Sequence, residues 1–234
     1  MDEARTLEVC VDSIESALAA QKGGAHRIEL CDNMQEGGTT PSIGTIALAR
    51  RLCDIPIHVM IRPRGGGFCY SENEFEVMKM DIQHTKNLGA DGIVFGVLKP
   101  DATIDMERCA EFAALARPMS ITFHRAFDVV RDAAPSLEAL IQLGVDRLLT
   151  SGQKPSALEG LSLVTELVKQ ARERIIIMPG AGITHQNISQ IMRQAGVSDV
   201  HVYGAATVPV AMQSEDARRI TDAGQVKSIL AAMR

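Results

Sequence analysis

Two periods of apolar residues alternate along this chain. Short runs with aliphatic side chains at every second position give way to longer stretches where they recur every three or four, the signatures of strands and amphipathic helices. Strand-like runs fall near residues 6–11, 26–31, 57–62, 91–95, 119–124, 146–150, 174–178 and 199–203. Helical spacing lies between them at Ile14, Ala17 and Leu18, at Phe75, Met78 and Ile82, at Leu158, Leu161, Val164 and Leu167, and at Ile188, Ile191 and Met192. A last stretch, Val226, Ile229, Leu230 and Met233, closes the chain. Gly23-Gly24, Gly89, Gly144 and Gly196 precede strands, where a helix exit wants a left-handed cap.

Eight alternating strand and helix units dictate parallel pairing through right-handed crossovers. The pattern therefore predicts an α/β fold, a (β/α)8 TIM barrel near its minimal length, built as a single domain over residues 1–234. An open doubly wound sheet is the competing architecture, but no GxGxxG follows the first strand.

The polar positions add chemistry to this frame. If the aliphatic parity of each strand faces the helices, Glu8, Cys10, Glu29, Cys31, His58, Met60, Arg62, Thr122, His124, His201 and Tyr203 point into the barrel. Barrel interiors are normally filled by branched apolar side chains, and active sites are built at the C-terminal strand ends. Leu7-Glu8-Val9-Cys10 is echoed by Ile28-Glu29-Leu30-Cys31, so neighbouring parallel strands bring two carboxylates and two thiols together. Two close carboxylates raise one pKa and prepare a general acid; an ion pair with Arg62 or Arg27 accounts for them without chemistry. Thiols on strands about 4.8 Å apart suit Cu(I), and packing as small hydrophobes is the alternative. Cys53, Cys69 and Cys109 read as buried small hydrophobes of that kind.

Five cysteines, an odd number without a CxxC, fit reduced thiols and a cytoplasmic location better than disulfides. A net charge of −5 with scattered Lys and Arg offers no basic stripe, which argues against nucleic acid and membrane surfaces as partners. The chain enters a strand within a few residues, and no apolar run approaches the roughly 18 needed to cross a bilayer, so neither a signal peptide nor a membrane helix is expected.

Three loops carry further candidates. Arg62-Pro63-Arg64-Gly65-Gly66-Gly67 places two guanidinium groups around a stiffened turn, an arrangement that suits carboxylate or phosphate, or else forms a flexible loop. Pro179-Gly180-Ala181-Gly182 and Tyr203-Gly204-Ala205-Ala206 follow strands seven and eight, where barrels often seat phosphate, and close helix–strand packing also explains their glycines. Phe123-His124-Arg125-Ala126-Phe127-Asp128 offers His124 as a base oriented by Asp128, against a plain Arg125–Asp128 salt bridge.

These segments, together with Glu36-Gly37-Gly38-Thr39-Thr40-Pro41-Ser42 and Leu149-Thr150-Ser151-Gly152, resemble the CutC family, over about residues 6–201. The resemblance implies a (β/α)8 barrel, a cytoplasmic homo-oligomer and a role in copper homeostasis, with Cys10 and Cys31 at the motif positions associated with Cu(I). Two positions depart from the family pattern. Gly67 stands where relatives usually carry an acid, and His201 leads into Val202-Tyr203 rather than Ser or Ala, with a loop that looks shortened.

Two functions follow. In the first, Cys10 and Cys31 ligate Cu(I), with a nearby histidine available as a third ligand. In the second, the protein is an enzyme acting on a small anionic or phosphorylated molecule. There Glu8, Glu29, His124 and Asp128 carry the catalysis, and Arg62, Arg64, Thr150, Ser151, Gly152, Gly180, Gly182 and His201 hold the ligand.

Overall fold

A computed structural model describes residues 5–209 and 219–233. Eight strands alternate with eight helices. They are β1 (Thr6–Val11), α1 (Ile14–Gly23), β2 (Arg27–Leu30), α2 (Ile43–Leu52), β3 (Ile57–Met60), α3 (Glu72–Asn87), β4 (Gly92–Phe95) and α4 (Met106–Ala116), followed by β5 (Ser120–Phe123), α5 (Ala133–Gln142), β6 (Arg147–Thr150), α6 (Leu161–Ala171), β7 (Ile176–Pro179), α7 (Ile188–Ala195), β8 (Asp199–Val202) and α8 (Ala223–Ala232). The strands pair in parallel in the order β7-β6-β5-β4-β3-β2-β1-β8, with β7 and β8 alongside each other, so the sheet curls into a nearly closed barrel. Between β8 and α8, Thr207–Pro209 (β9) pairs antiparallel with Arg219–Thr221 (β10). The loop expected to be shortened after β8 runs in part through residues 210–218, outside the described residues.

Local chemistry sets the boundaries. Ser13, Ser42, Ser71, Asp105 and Asp222 each accept a backbone N–H at the start of a helix, and Ser71 with Glu74 forms a reciprocal capping box. Gly24 and Gly196 end α1 and α7 in the left-handed conformation, as their positions in the sequence predict. Leu158 falls outside α6, which starts only after Gly160, and is partly exposed. Apolar spacing does not single out α2, α4 or α5; α4 is alanine-rich and buries Ala113 and Ala116, which give weak contrast in a sequence.

The aliphatic face of the strands forms the main core against the helices. Leu7, Val9, Ile28, Leu30, Ile57 and Val59 are shut off from solvent there. An aromatic group wedges the α3–α4 side, with Phe75 stacked on Phe112 at 4.7 Å and Phe95 edge-on to Phe112 at 5.3 Å. The opposite parity fills the barrel with Glu8, Arg27, Glu29, His58, Thr122 and Arg147, all buried. Several strands are shorter than their sequence pattern, and Cys31, Arg62, His124 and Tyr203 lie just beyond β2, β3, β5 and β8 at the C-terminal rim.

Candidate functional site

The floor of the barrel is a buried ion network. Glu8 accepts from Arg27 Nε and, at 2.8 Å, bonds His201 Nδ1. Arg27 and Arg147 both reach Asp199 Oδ2 at 3.2 Å, and Arg147 Nη1 donates to Thr122 Oγ1 at 3.3 Å. Burial would raise the Glu8 carboxyl, but Arg27 and His201 outweigh it and hold Glu8 well below the usual carboxylate range. The ion pair with Arg27, rather than Arg62, is therefore the one that forms. His58 stands 3.9 Å from Glu8; burial, with Arg27 and Arg147 nearby, pushes it down to about 3, so it is neutral.

The two echo segments are offset. Cys10 pairs with Glu29 and Glu8 with Arg27, so the copies are shifted by two residues rather than level, the stagger a closed barrel imposes. Cys31 nonetheless turns back over the end of β1, and its Sγ lies 3.6 Å from Cys10 Sγ. Cys10 Sγ also lies 3.7 Å from Met34 Sδ, and Cys31 Sγ 3.5 Å from Glu29 Oε2. Contact with Cys31, then burial, raises the Cys10 thiol well above normal. Cys31 gains from its bond to Cys10, but burial and Glu29 win and push it up to about 12. Both are neutral thiols at physiological pH. Burial, helped by the Glu8 charge, raises Glu29 against the pull of His201, whose Nε2 is 3.8 Å away. Burial would lower His201, but Glu29 and Glu8 prevail and raise it.

Above this layer a cavity of about 570 Å³ opens at the C-terminal end of the barrel. Cys10, Glu29, Met34, Arg62, Phe68, His124, Asp128, Gly182, His201 and Tyr203 are among its lining residues. His124 accepts the Ala126 N–H at Nδ1, so the neutral ring carries its proton on Nε2, which has no protein partner; Glu29 Oε1 has none either. Burial, with the Arg62 charge, depresses His124 to about 3. Gly96 makes room for that ring, since a Cβ there would lie 2.5 Å from it.

The family model described as the CutC family matches residues 5–206. The chain belongs to the CutC family. It is 47% identical over 237 residues to the copper homeostasis protein cutC homolog of Homo sapiens, covering 95% of this chain and 87% of that one. Among solved structures it resembles the putative copper homeostasis protein CutC from Streptococcus agalactiae, at 35% identity and a TM-score of 0.81, covering 85% of this chain and 98% of the other. Phosphoribosyl anthranilate isomerase from Thermococcus kodakaraensis, 16% identical, covers 99% of both chains with a TM-score of 0.66 and shares the barrel fold.

In this CutC-family barrel the candidate residues divide into two groups. Cys10, Glu29, Arg62, His124, Asp128, Gly182 and His201 face the cavity, with Cys31 against Cys10 and Glu8 beneath His201. Others lie elsewhere. Arg64 pairs with Glu74 and caps the carbonyls of Gly65, Gly67 and Cys69, outside the cavity lining. Both terminal nitrogens of Arg62 donate to the carbonyls of Glu36, Gly38 and Gly66 and the group lies over the Phe68 ring at 5.1 Å, so it ties loops together rather than presenting a free fork, with only Nε left without a partner among the described residues. Asp128 orients no histidine. Its oxygens accept from Thr150 Oγ1 at 2.5 Å, from Ser151 N at 3.0 Å and from Arg125 Nε at 2.7 Å, which makes Thr150 and Ser151 its anchors; Gly152 packs on Gly160. Gly180 is a packing glycine, where a Cβ would meet Leu149 at 2.6 Å. Cys53 and Cys109 are buried as expected, whereas Cys69 is exposed because it sits on the arginine loop. Sequence reasoning missed Met34, Arg147 and Asp199. Met34 sits on a short 3-10 turn without periodicity, and Arg147 and Asp199 open their strands at the barrel bottom.

Proposed function

We propose that this CutC-family protein acts in copper homeostasis by binding Cu(I) as cargo between Cys10 and Cys31 in the cytoplasm, as a homo-oligomer. The observation that carries this reading is the 3.6 Å contact between two free thiols beside a cavity. Soft sulfur selects Cu(I), and hard carboxylate oxygens such as those of Glu29 add little to it. Because both thiols are protonated in the empty protein, metal uptake releases two protons. An odd number of cysteines without a CxxC fits reduced thiols, which supports the cytoplasmic location. Among the described residues no helix is long and apolar enough to cross a membrane. The test is Cu(I) titration of purified protein in anaerobic reducing buffer against a competing chelator, with Cys10→Ser and Cys31→Ser combined. Unchanged uptake in the double variant refutes the assignment.

A second reading rests on a different observation, the unpartnered Glu29 Oε1 and His124 Nε2 in a cavity with a largely apolar wall. A small molecule with an acceptor oxygen would take the His124 proton donor, and Glu29 with His201 and Glu8 would supply acid–base groups. Arg64 lies outside the cavity lining and Arg62 is tied to backbone carbonyls, whereas Arg125, paired with Asp128 and Ser151, keeps its side chain 45% exposed at the rim, where it can meet an anionic substituent. Thermal-shift screening of small carboxylates and phosphates against wild type and Arg125→Gln tests this; stabilisation by none of them, or equal stabilisation of both proteins, refutes it.

A further inference from the structure

We propose that Met34 is the third sulfur ligand of the Cu(I) site, so that Cys10, Cys31 and Met34 hold the metal in a trigonal all-sulfur set. This rests on the copper reading above and extends it to a residue outside the cysteine pair. Met34 Sδ lies 3.7 Å from Cys10 Sγ, nearly the 3.6 Å that separates the two thiols. With metal–sulfur bonds of about 2.3 Å, ligand sulfurs stand about 4.0 Å apart around a trigonal centre and about 4.6 Å apart across a linear one. The observed spacings lie closer to the trigonal value than to the linear one, and Met34 is the sulfur placed to complete that geometry.

The segment carrying Met34 is shaped to deliver it. Asn33 and Gly37 bracket the 3-10 turn Met34–Glu36 in left-handed conformations, with φ of 47° and 83°. A left-handed Asn is an uncommon backbone state that the surroundings must hold. Those surroundings are visible: Asp32 and Thr39 bridge the base of the loop, and Arg62 donates to the carbonyls of Glu36 and Gly38. Gly38 lies directly over Cys31, where an added Cβ would stand 3.3 Å from Sγ. The arginine that the sequence offers as an anion clamp thus acts as a strut that presses a methionine-bearing loop onto the thiols. Met34 is half-buried and lines the cavity, so the metal would arrive from the barrel mouth and meet the thioether on its way to the cysteines. The step is ligand exchange without redox: each thiol loses its proton to buffer as a Cu–S bond forms, and the thioether contributes a lone pair and loses nothing.

Met60 supplies the internal control, since it belongs to the same buried cluster as Cys10 and Cys31, while Met34 is the methionine whose sulfur approaches Cys10 Sγ. The experiment compares wild type, Met34→Leu, Met60→Leu and the double cysteine variant loaded with Cu(I), reading affinity by chelator competition and sulfur number by copper X-ray absorption. Expected are three sulfurs in wild type and in Met60→Leu, with two sulfurs and an affinity lower by about tenfold or more in Met34→Leu. Selenomethionine labelling adds a copper–selenium distance that Met34→Leu abolishes and Met60→Leu retains. Two sulfurs in wild type, or affinity unchanged in Met34→Leu, overturns the ligand assignment while leaving the cysteine pair standing. Failure of wild type to take up Cu(I), or uptake unchanged by the double cysteine variant, overturns both.

Discussion

His58 offers a test of the buried floor that does not depend on any ligand. Its ring is 3% exposed, its Nδ1 has no hydrogen bond, and burial holds it neutral with a pKa of about 3. In the unfolded chain a histidine titrates near 6.5. Below that pH the unfolded state binds a proton that the native state refuses, so stability falls as pH falls, by up to 1.36 kcal/mol for each pH unit per site. Between about pH 7.5 and pH 5 the loss attributable to His58 is about 2 kcal/mol. That figure hardly depends on the native pKa as long as it lies well below 5, because the native ring then stays neutral over the whole window. The decline would level off only near pH 3, where the native ring also protonates.

The perturbation is His58→Leu, which keeps a side chain of similar size beside Gly92 and removes the titration. Its effect at neutral pH mixes packing with polarity and is not the quantity of interest. The quantity is the difference between the pH dependences, which cancels the packing change and the contributions of His124, Glu29 and His201 as far as these are independent of residue 58. Urea unfolding followed by far-UV circular dichroism at several pH values should show the wild type losing about 2 kcal/mol more than His58→Leu between pH 7.5 and 5. Parallel curves for the two proteins would mean that the native histidine protonates freely, and the reasoning about the floor would fail.

Other outcomes follow from the same geometry. Arg27→Met leaves Glu8 and Asp199 with less compensating charge in a buried site and should cost about 3–5 kcal/mol of unfolding free energy, measured by denaturant titration. Gly96→Ala drives a methyl into the His124 ring and the Ala126 side chain, and should destabilise by about 1–3 kcal/mol while shifting the His124 ring resonances in NMR spectra. Arg64→Gln removes an exposed pair with Glu74 outside the cavity, so Cu(I) uptake should match wild type; a large loss would place Arg64 in the site after all.

The barrel was legible because its signal is repeated eight times, and an error in one unit does not alter the alternation. The inward parity was equally legible, since a period of two fixes which residues share a face once one of them is placed. What the sequence did not contain was the use of each group. Arg62 and Arg64 look alike in a glycine-rich turn, yet one is closed over by backbone carbonyls from the Met34 loop and the other by Glu74, contacts set by tertiary approach. Asp128 is four residues from His124 but turns to the end of β6, because Thr150 and Ser151 offer three donors there and the histidine ring has already taken the Ala126 amide. The stagger between β1 and β2 is a property of barrel closure, so the two copies of the echo could be aligned by sequence but not levelled.

That stagger also sets Glu29 beside Cys10, so a carboxylate sits close to a group of soft sulfur atoms. Glu8, Glu29 and His201 could by composition form a site for a hard divalent cation, with one atom from each within 4.8 Å of the others. The floor works against it. Glu8 is already matched by Arg27 on one oxygen and by His201 on the other, and Asp199 is matched by both arginines. Glu29 is raised, and His201, also raised, favours holding a proton over offering a lone pair. A dication would have to displace Arg27 from Glu8 or a proton from His201, whereas Cu(I) on the proposed reading displaces only the two thiol protons. On the copper reading proposed above, the paired charges of Glu8 and Asp199 favour a soft monovalent metal at the thiols over a hard dication at the floor, with neither of those carboxylates acting as a ligand.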